Sequence, residues 1–278
     1  SGKDFESMCK NYGEILTDFY RENGILACDF NCKNQSKCME AATPRTLSCG
    51  AGAHIGSKYG YPFKIVVVSL DRGDGSGDIG DRTRTIENLS YEGLNPHMKG
   101  TLQLLKAFLK NTEDVNNFFA HFAMTNSAKC CGADKSMASV PEELYKNCAK
   151  FSRCEIELLE PDIIVTQGKR ALFSLEGCQE NVSAEDIARI IRHFEVKNLV
   201  VEEMIRTFIA EHVRKIMIND FSCWLLVLPH PSARAGRWQN FESYHLTLST
   251  EIVTFLINKD RGVDYEFKNK NSPLMNAF

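Results

Sequence analysis

The sequence predicts an α/β fold: a three-layer α/β/α sandwich with a central, mostly parallel four-stranded sheet. Four short apolar runs, Lys64–Leu70, Phe119–Thr125, Asp162–Thr166 and Trp224–Leu228, have the length and composition of buried strands. The segments between them carry apolar residues at helical spacing, and parallel strands need long crossovers of that kind. Each run also stops at a polar or turn-forming residue. An open α/β sheet binds its ligands there, beyond the carboxyl ends of the strands.

Taken in chain order, Phe5, Met8, Tyr12, Ile15, Leu16 and Phe19 mark an amphipathic helix from about Asp4 to Asn23. Cys28 to Gly60 is rich in Cys, Asn, Lys, Ser and Gly and reads as an irregular, ligand-organised loop. Lys64–Leu70 (KIVVVSL) is continuously apolar at its centre, as a strand covered on both faces must be. Asp71–Asn95 is rich in Gly and charge and reads as a long functional loop. Leu102–Leu109 is helical. Pro141–Leu159 is a long amphipathic helix with Ser139 near its N-cap and Glu142 and Glu143 in the first turn, where the helix dipole favours negative charge. A Gln-Gly turn after Thr166 leads into a helix from Lys169, and the charged segment Ala184–Ile218 reads as helical. Residues 1–257 then form a single domain with a Cys-rich loop over 28–60 and a helical insertion over 175–220, followed by a polar tail over 258–278.

A chain of 278 residues that is 43% hydrophobic can bury a sizeable core. No stretch approaches the roughly 18–20 apolar residues of a membrane helix, and the N-terminus has no apolar signal core. A cytoplasmic protein of a bacterial or phage-like setting, monomeric and without a membrane partner, is therefore expected. The formal net charge of −3 is unlike most nucleic-acid binders, although a local basic patch is enough to hold phosphates. Eleven cysteines, an odd number, argue against a disulfide framework. Scattered, reduced, buried thiols are one reading. The crowding of Cys28, Cys32, Cys38 and Cys49 in one segment, and of Cys130, Cys131, Cys148 and Cys154 in another, points instead to ligation.

Three polar residues stand at strand ends: Asp71, Asn126 and His230. A carboxylate, a carboxamide and an imidazole brought together beyond one sheet edge are the makings of an active site.

Four segments resemble the uracil-DNA glycosylase superfamily, above all its iron–sulfur branch. VVVSLDRG is similar to the family's strand running into its water-activating loop. MTNSAKC resembles the strand that ends in Thr-Asn and leads to Lys-Cys. CAKFSRCEIELLEPDIIVTQGKRAL resembles the family's Cys, then Glu-Ile-x-Leu-Leu-x-Pro, an apolar strand and Gly. LPHPSARAGRW is similar to the His-Pro-Ser loop. Together they span roughly Ile65 to Leu248, in the family's order.

The resemblance implies a monofunctional glycosylase that flips a base out of DNA and hydrolyses its N-glycosidic bond. Asp71 takes the place of the residue that positions water and stabilises an oxocarbenium-like sugar. The loop departs from the family in reading Asp-Arg-Gly, which leaves Asp74 as an alternative acid. Asn126 takes the place of the residue that reads the base edge, since a carboxamide both donates and accepts. His230 corresponds to the histidine that donates to the departing base. The following loop, with Ser232, Arg234, Arg237 and Trp238, corresponds to the one that enters the minor groove, contacts phosphates and wedges the gap. The cluster ligands implied are Cys130, Cys148 and an N-terminal pair, taken as Cys32 and Cys38 with Cys28 in reserve. Four thiolates suit a 4Fe-4S cluster, and zinc is the alternative.

The base pocket departs most from the family. Where relatives place a stacking Phe, this chain has Leu94-Asn95-Pro96-His97-Met98-Lys99-Gly100. Tyr91 or His97 is left to contact the base. A roomier, more polar pocket suits a modified pyrimidine, such as a phage-type hydroxymethylated or glucosylated cytosine, beside uracil. Two other classes stay open: a catalytically silent nucleic-acid-binding module with the same fold, and a small-molecule α/β enzyme, which would leave the cysteines and the His-Pro-Ser loop unexplained.

Overall fold

The computed structural model describes residues 11–26, 31–44, 46–48, 52–70, 78–132, 140–232, 238 and 244–263. In chain order its elements are α1 (Tyr12–Glu22), α2 (Gln35–Ala42), β1 (Leu47–Ser48), β2 (His54–Ile55), β3 (Ile65–Ser69), α3 (Ile79–Glu87), α4 (Pro96–Phe108), β4 (Phe122–Asn126), β5 (Cys131–Gly132) and α5 (Glu142–Leu159). They continue with β6 (Ile163–Gln167), β7 (Gln179–Asn181), α6 (Ala184–His193), α7 (Leu199–His212), β8 (Val213–Ile218), β9 (Phe221–Leu228) and α8 (Tyr244–Asp260).

The chain is an α/β protein on a mixed seven-stranded sheet in the order β2-β4-β3-β6-β9-β8-β7. The four inner strands β4, β3, β6 and β9 run parallel, and they are the four apolar runs legible in the sequence. The sheet is wider than the four strands expected. β2 adds antiparallel at one edge, and β8 and β7 add antiparallel at the other. Both added edges come from stretches that read otherwise. β2 lies in the Cys-rich loop. β8 ends the segment read as helical throughout, where Val213, Ile216 and Ile218 pair back onto β9 across a tight turn with Asn219 at φ 51°. Asn tolerates that left-handed conformation better than most side chains.

The inner strands are buried on both faces. Ile65, Val67, Phe122, Met124, Ile163 and Val165 pack in one cluster with side chains of α4, α6, α7 and α8. Val66, Val68, Ala123 and Ile164 point the other way, into a second cluster with α1 and α5. Burying each such aliphatic side chain stabilises by about 1.5–3 kcal/mol. A one-residue slip of any inner strand would exchange its two faces.

Local signals place the helices. Asn95 caps α4 by accepting from the Met98 N–H at 2.9 Å, and Pro96 opens the first turn. Asp78 accepts from the Asp81 N–H at 2.8 Å and starts α3 inside the segment read as a continuous loop. The polar face that made this segment look like a loop is solvent-exposed, while Ile79 and Ile86 face inward. α5 opens at Pro141 without a side-chain cap; Ser139 lies outside the described residues. The helix expected from Lys169 is a short 3-10 helix over Lys169–Leu175. A small antiparallel pair, β1 with β5, ties the segment after α2 to the segment after β4.

Candidate functional site

Ser69, Asn126 and Gln167 end three adjacent parallel strands. Ser69 stands opposite Asn126, and Gln167 opposite Leu228, two residues before His230. Asp71 and Asp74, which follow β3, lie outside the described residues, as do Arg234 and Arg237.

A hydrogen-bonded chain runs across these ends. Thr101 Oγ1 donates to the His97 carbonyl at 3.0 Å, one turn back on α4. It therefore accepts from Gln167 Nε2 at 2.9 Å, which orients the amide. Gln167 Oε1 then lies 2.6 Å from His97 Nε2 and 3.2 Å from Ser69 Oγ, and Ser69 Oγ is 3.0 Å from His97 Nε2. An amide oxygen only accepts, so His97 carries its proton on Nε2 and its lone pair on Nδ1. Burial, and His230 beside it, hold the His97 imidazolium at a pKa of about 4, so the ring is neutral at physiological pH.

His230 stacks on His97 with ring centroids 5.3 Å apart and planes 13° from parallel. Its Nδ1 accepts the Ser232 N–H at 3.1 Å. In the neutral ring this leaves the proton on Nε2, as a donor. Two stacked imidazoles thus offer complementary groups, a donor on His230 and an acceptor on His97. Two glycines make this approach possible. Gly168 has φ +92°, and a Cβ there would come 3.3 Å from the His230 Cβ. A Cβ on Gly100 would fall 2.5 Å from the Pro231 Cβ, so the Pro-His-Pro turn rests directly on the α4 backbone.

Asn126 is 7% exposed, and its main chain is held firmly. Lys129, itself buried, folds back so that its Nζ donates to the Asn126 carbonyl at 2.5 Å and ion-pairs with the buried Glu155 of α5. Tyr20 OH donates to the other oxygen of Glu155 at 2.5 Å. Burial, and then Glu155, push the Tyr20 phenol well above its ordinary range, so it remains a donor.

The thiols gather behind this segment. Cys38 and Cys130 share a small buried cluster with Ala128, Val140, Leu144 and Tyr145, and Cys148 joins the same segment through the Lys129 N–H. Three of the four sulfurs accept N–H groups: Cys32 from Asn34 N at 3.4 Å, Cys38 from Asn147 Nδ2 at 3.3 Å, and Cys148 from Lys129 N at 3.4 Å. Asn34 Nδ2 also donates to the Asn147 carbonyl at 2.7 Å, locking the start of α2 to α5. Burial raises the Cys148 thiol to about 11 and also raises Cys38, so both are neutral at physiological pH and a bound cation would displace their protons. Among the described residues no three His, Cys, Asp or Glu side chains are closed up into a metal-holding group. The donor chemistry nonetheless fits a thiolate-bound centre: soft sulfur ligands, largely dry, with N–H groups directed at them. Cys28 lies outside the described residues.

Two residues expected at the site are elsewhere. Tyr91 packs its ring on Phe118 and Phe119, with Lys106 over its face. Those residues precede β4 or end α4, so Tyr91 belongs to the opposite end of the sheet from Asn126. Of the two residues proposed to contact the base, His97 alone joins the strand-end cluster. Trp238 was expected to wedge DNA. It is 3% exposed, and its Nε1 donates to Gln103 Oε1 at 3.0 Å. An indole that large is a core residue at the base of the loop. Trp238→Ala should cost about 3–5 kcal/mol of stability, seen as a lower Tm, with any loss of DNA affinity following the loss of fold. Ser232 is exposed, as a contact residue must be.

Ser69, Thr101, Gln167, Lys129 and the two contact glycines were not singled out by sequence. Thr101, four residues after His97 on a helix, and Gln167, the last residue of its strand, carried signals of position only. A hollow of about 650 Å³ lies elsewhere: Leu199, Val200, Met204 and Phe208 of α7 line it with His245. It is mainly apolar, and the converging donors and acceptors are at the strand ends. No described helix is long and apolar enough to cross a membrane. Neither family models nor curated proteins give a match to this chain.

Proposed function

We propose that this protein is a DNA glycosylase that flips a uracil or a modified pyrimidine out of the duplex and hydrolyses its N-glycosidic bond. The stacked His97–His230 pair carries this reading. Its two hydrogen-bond tautomers are set by neighbours, and it lies beside Asn126 at the carboxyl ends of parallel strands, where an α/β sheet takes its ligand. A flipped base presents both carbonyl and N–H groups on its edge, and this pair with Asn126 offers matching partners. An α/β fold whose inner strands β4, β3, β6 and β9 run parallel suits the same reading.

In the reaction, water oxygen bonds to the sugar C1′ as the bond from C1′ to the base nitrogen breaks, its electron pair leaving with the base. Asp71 orients the water, takes its proton and offsets positive charge on the sugar. His230 Nε2–H donates to the base carbonyl as negative charge builds there. Asn126 selects the base edge. His97, neutral and acceptor-only at Nδ1, adds no positive charge beside the sugar. A 4Fe-4S cluster would be held by Cys32, Cys38, Cys130 and Cys148, and it would supply a structural tie between α2, α5 and the segment after β4, with zinc the alternative occupant. DNA is the partner, held by Arg234 and Arg237.

The test is a panel of duplexes carrying uracil, cytosine and modified cytosines, with release of free base as the readout. Asn126→Asp should change which base is released, because it alters the donor–acceptor pattern shown to the base. Arg234→Ala and Arg237→Ala should each weaken binding to every sequence alike and lower the salt slope by about 1. If the wild-type protein binds DNA but releases no base from any duplex, it is a binding module with this fold and no enzyme.

A further inference from the structure

The costliest side chain near the site takes no part in the chemistry above. Lys129 is 4% exposed and Glu155 is 1% exposed, and desolvating two charges is rarely recovered in full by their attraction. Here the pair ties α5 to the end of β4.

Lys129 makes three connections. Its Nζ reaches three residues back to the Asn126 carbonyl at 2.5 Å. The same Nζ pairs with Glu155 of α5, which Tyr20 of α1 holds from its other oxygen. Its backbone N–H donates to Cys148 Sγ at 3.4 Å, and Cys148 lies seven residues, two turns, before Glu155 on the same helix. The next residue is Cys130. One residue therefore touches both the end of the base-reading strand and the thiols. The segment between runs along β3, with Ser127 N donating to the Ser69 carbonyl at 2.9 Å and Ala128 N to the Leu70 carbonyl at 3.3 Å. The carbonyls it follows lead directly to Asp71.

We infer that Lys129 is a positioning residue: its Nζ–Asn126 bond and its N–H–Cys148 bond make the 126–130 segment a link through which the thiol centre sets the aim of Asn126. The inference rests on the glycosylase reading for its consequence, base selection, but not for the link itself.

Removing Lys129 alone would leave Glu155 buried and unpaired, and the protein could simply unfold. The informative variant is Lys129→Met combined with Glu155→Gln. It removes both charges and keeps an acceptor for Tyr20, yet cuts the tether to Asn126. Glu155→Gln alone keeps the Lys129 side chain but leaves its ammonium buried without a carboxylate, so it serves as the control for loss of the ion pair itself. Hydrogen exchange of the 122–130 peptide is measured first, together with Tm and bound metal. The double variant, with no charge left buried, should keep a Tm no lower than that of Glu155→Gln and should exchange faster at Ser127 and Ala128 only. Chelating the metal from the wild-type protein should speed the same two amides. Excision at the preferred base should fall by roughly 10²-fold in the double variant, the scale of a small misplacement of a reacting group, and discrimination between bases should narrow. Lys129→Arg should recover part of both. Unchanged exchange at Ser127 and Ala128 in the double variant, or a loss of protection spread over the whole sheet, overturns the link. Faster exchange at these two amides with no base released from any duplex leaves the link standing and removes the glycosylase reading.

Discussion

His230→Ala is expected to slow single-turnover base release by about 10²–10³-fold, with DNA affinity nearly unchanged. The Ser232 N–H occupies His230 Nδ1, so the ring offers Nε2–H, and the parallel face of His97 sets its plane. A donor fixed before the reaction costs nothing to reorient when charge develops on the base, which is why its loss appears in the chemical step and not in binding. Asp71→Ala should cause a loss of the same order, because it acts on the other end of the breaking bond. Rapid-quench measurement with enzyme in excess separates this step from product release. Base release by Asp71→Ala at the wild-type rate would transfer the role of acid to Asp74. Release by His230→Ala at the wild-type rate would remove the imidazole from the mechanism.

Cys148→Ala should abolish the visible colour of the purified protein and most of its solubility. Cys148 is 3% exposed on α5 and bonded to the Lys129 N–H. With the proposed centre bound, its thiols would lose their protons to the metal, part of the folding free energy would be metal-binding free energy, and one missing ligand would forfeit it. The measurements are the absorption spectrum, iron and sulfide content, and far-ultraviolet circular dichroism. A colourless wild-type protein with stoichiometric zinc would replace iron and retain the ligands. A wild-type protein free of any metal, with Cys148→Ala folded as before, would return the four cysteines to the status of buried thiols.

The strands were legible because burial on both faces demands continuous apolar runs. Ile65–Val68 and Ile163–Val165 have no other comfortable environment. The edges were not legible. β2 is two residues long, and β8 follows α7 with no punctuation between His212 and Val213. Pairing with β9, not local propensity, makes Val213–Ile218 a strand. α3 was hidden because an exposed helix carries its charges outward and shows few apolar residues.

Trp238 and Tyr91 show the limit of reading function from residue type. Both were expected at the ligand because aromatic side chains stack on bases. One is buried against α4 and the other caps the far end of the sheet. An aromatic side chain is as useful in a core as in a pocket, and sequence does not say which it faces.

By itself the sequence determined the α/β class, the four inner strands and their order along the chain, because those follow from local period and composition. It also marked which strand ends carry polar groups. The tertiary structure alone decided that His97 meets His230, that Gln167 and Thr101 set the His97 tautomer, and that Lys129 joins Asn126 to Glu155 and Cys148. Those contacts join residues as far apart as His97 and His230. The His97–His230 contact depends on how closely backbones approach at Gly100 and Gly168, which is a property of packing and is written in no single segment.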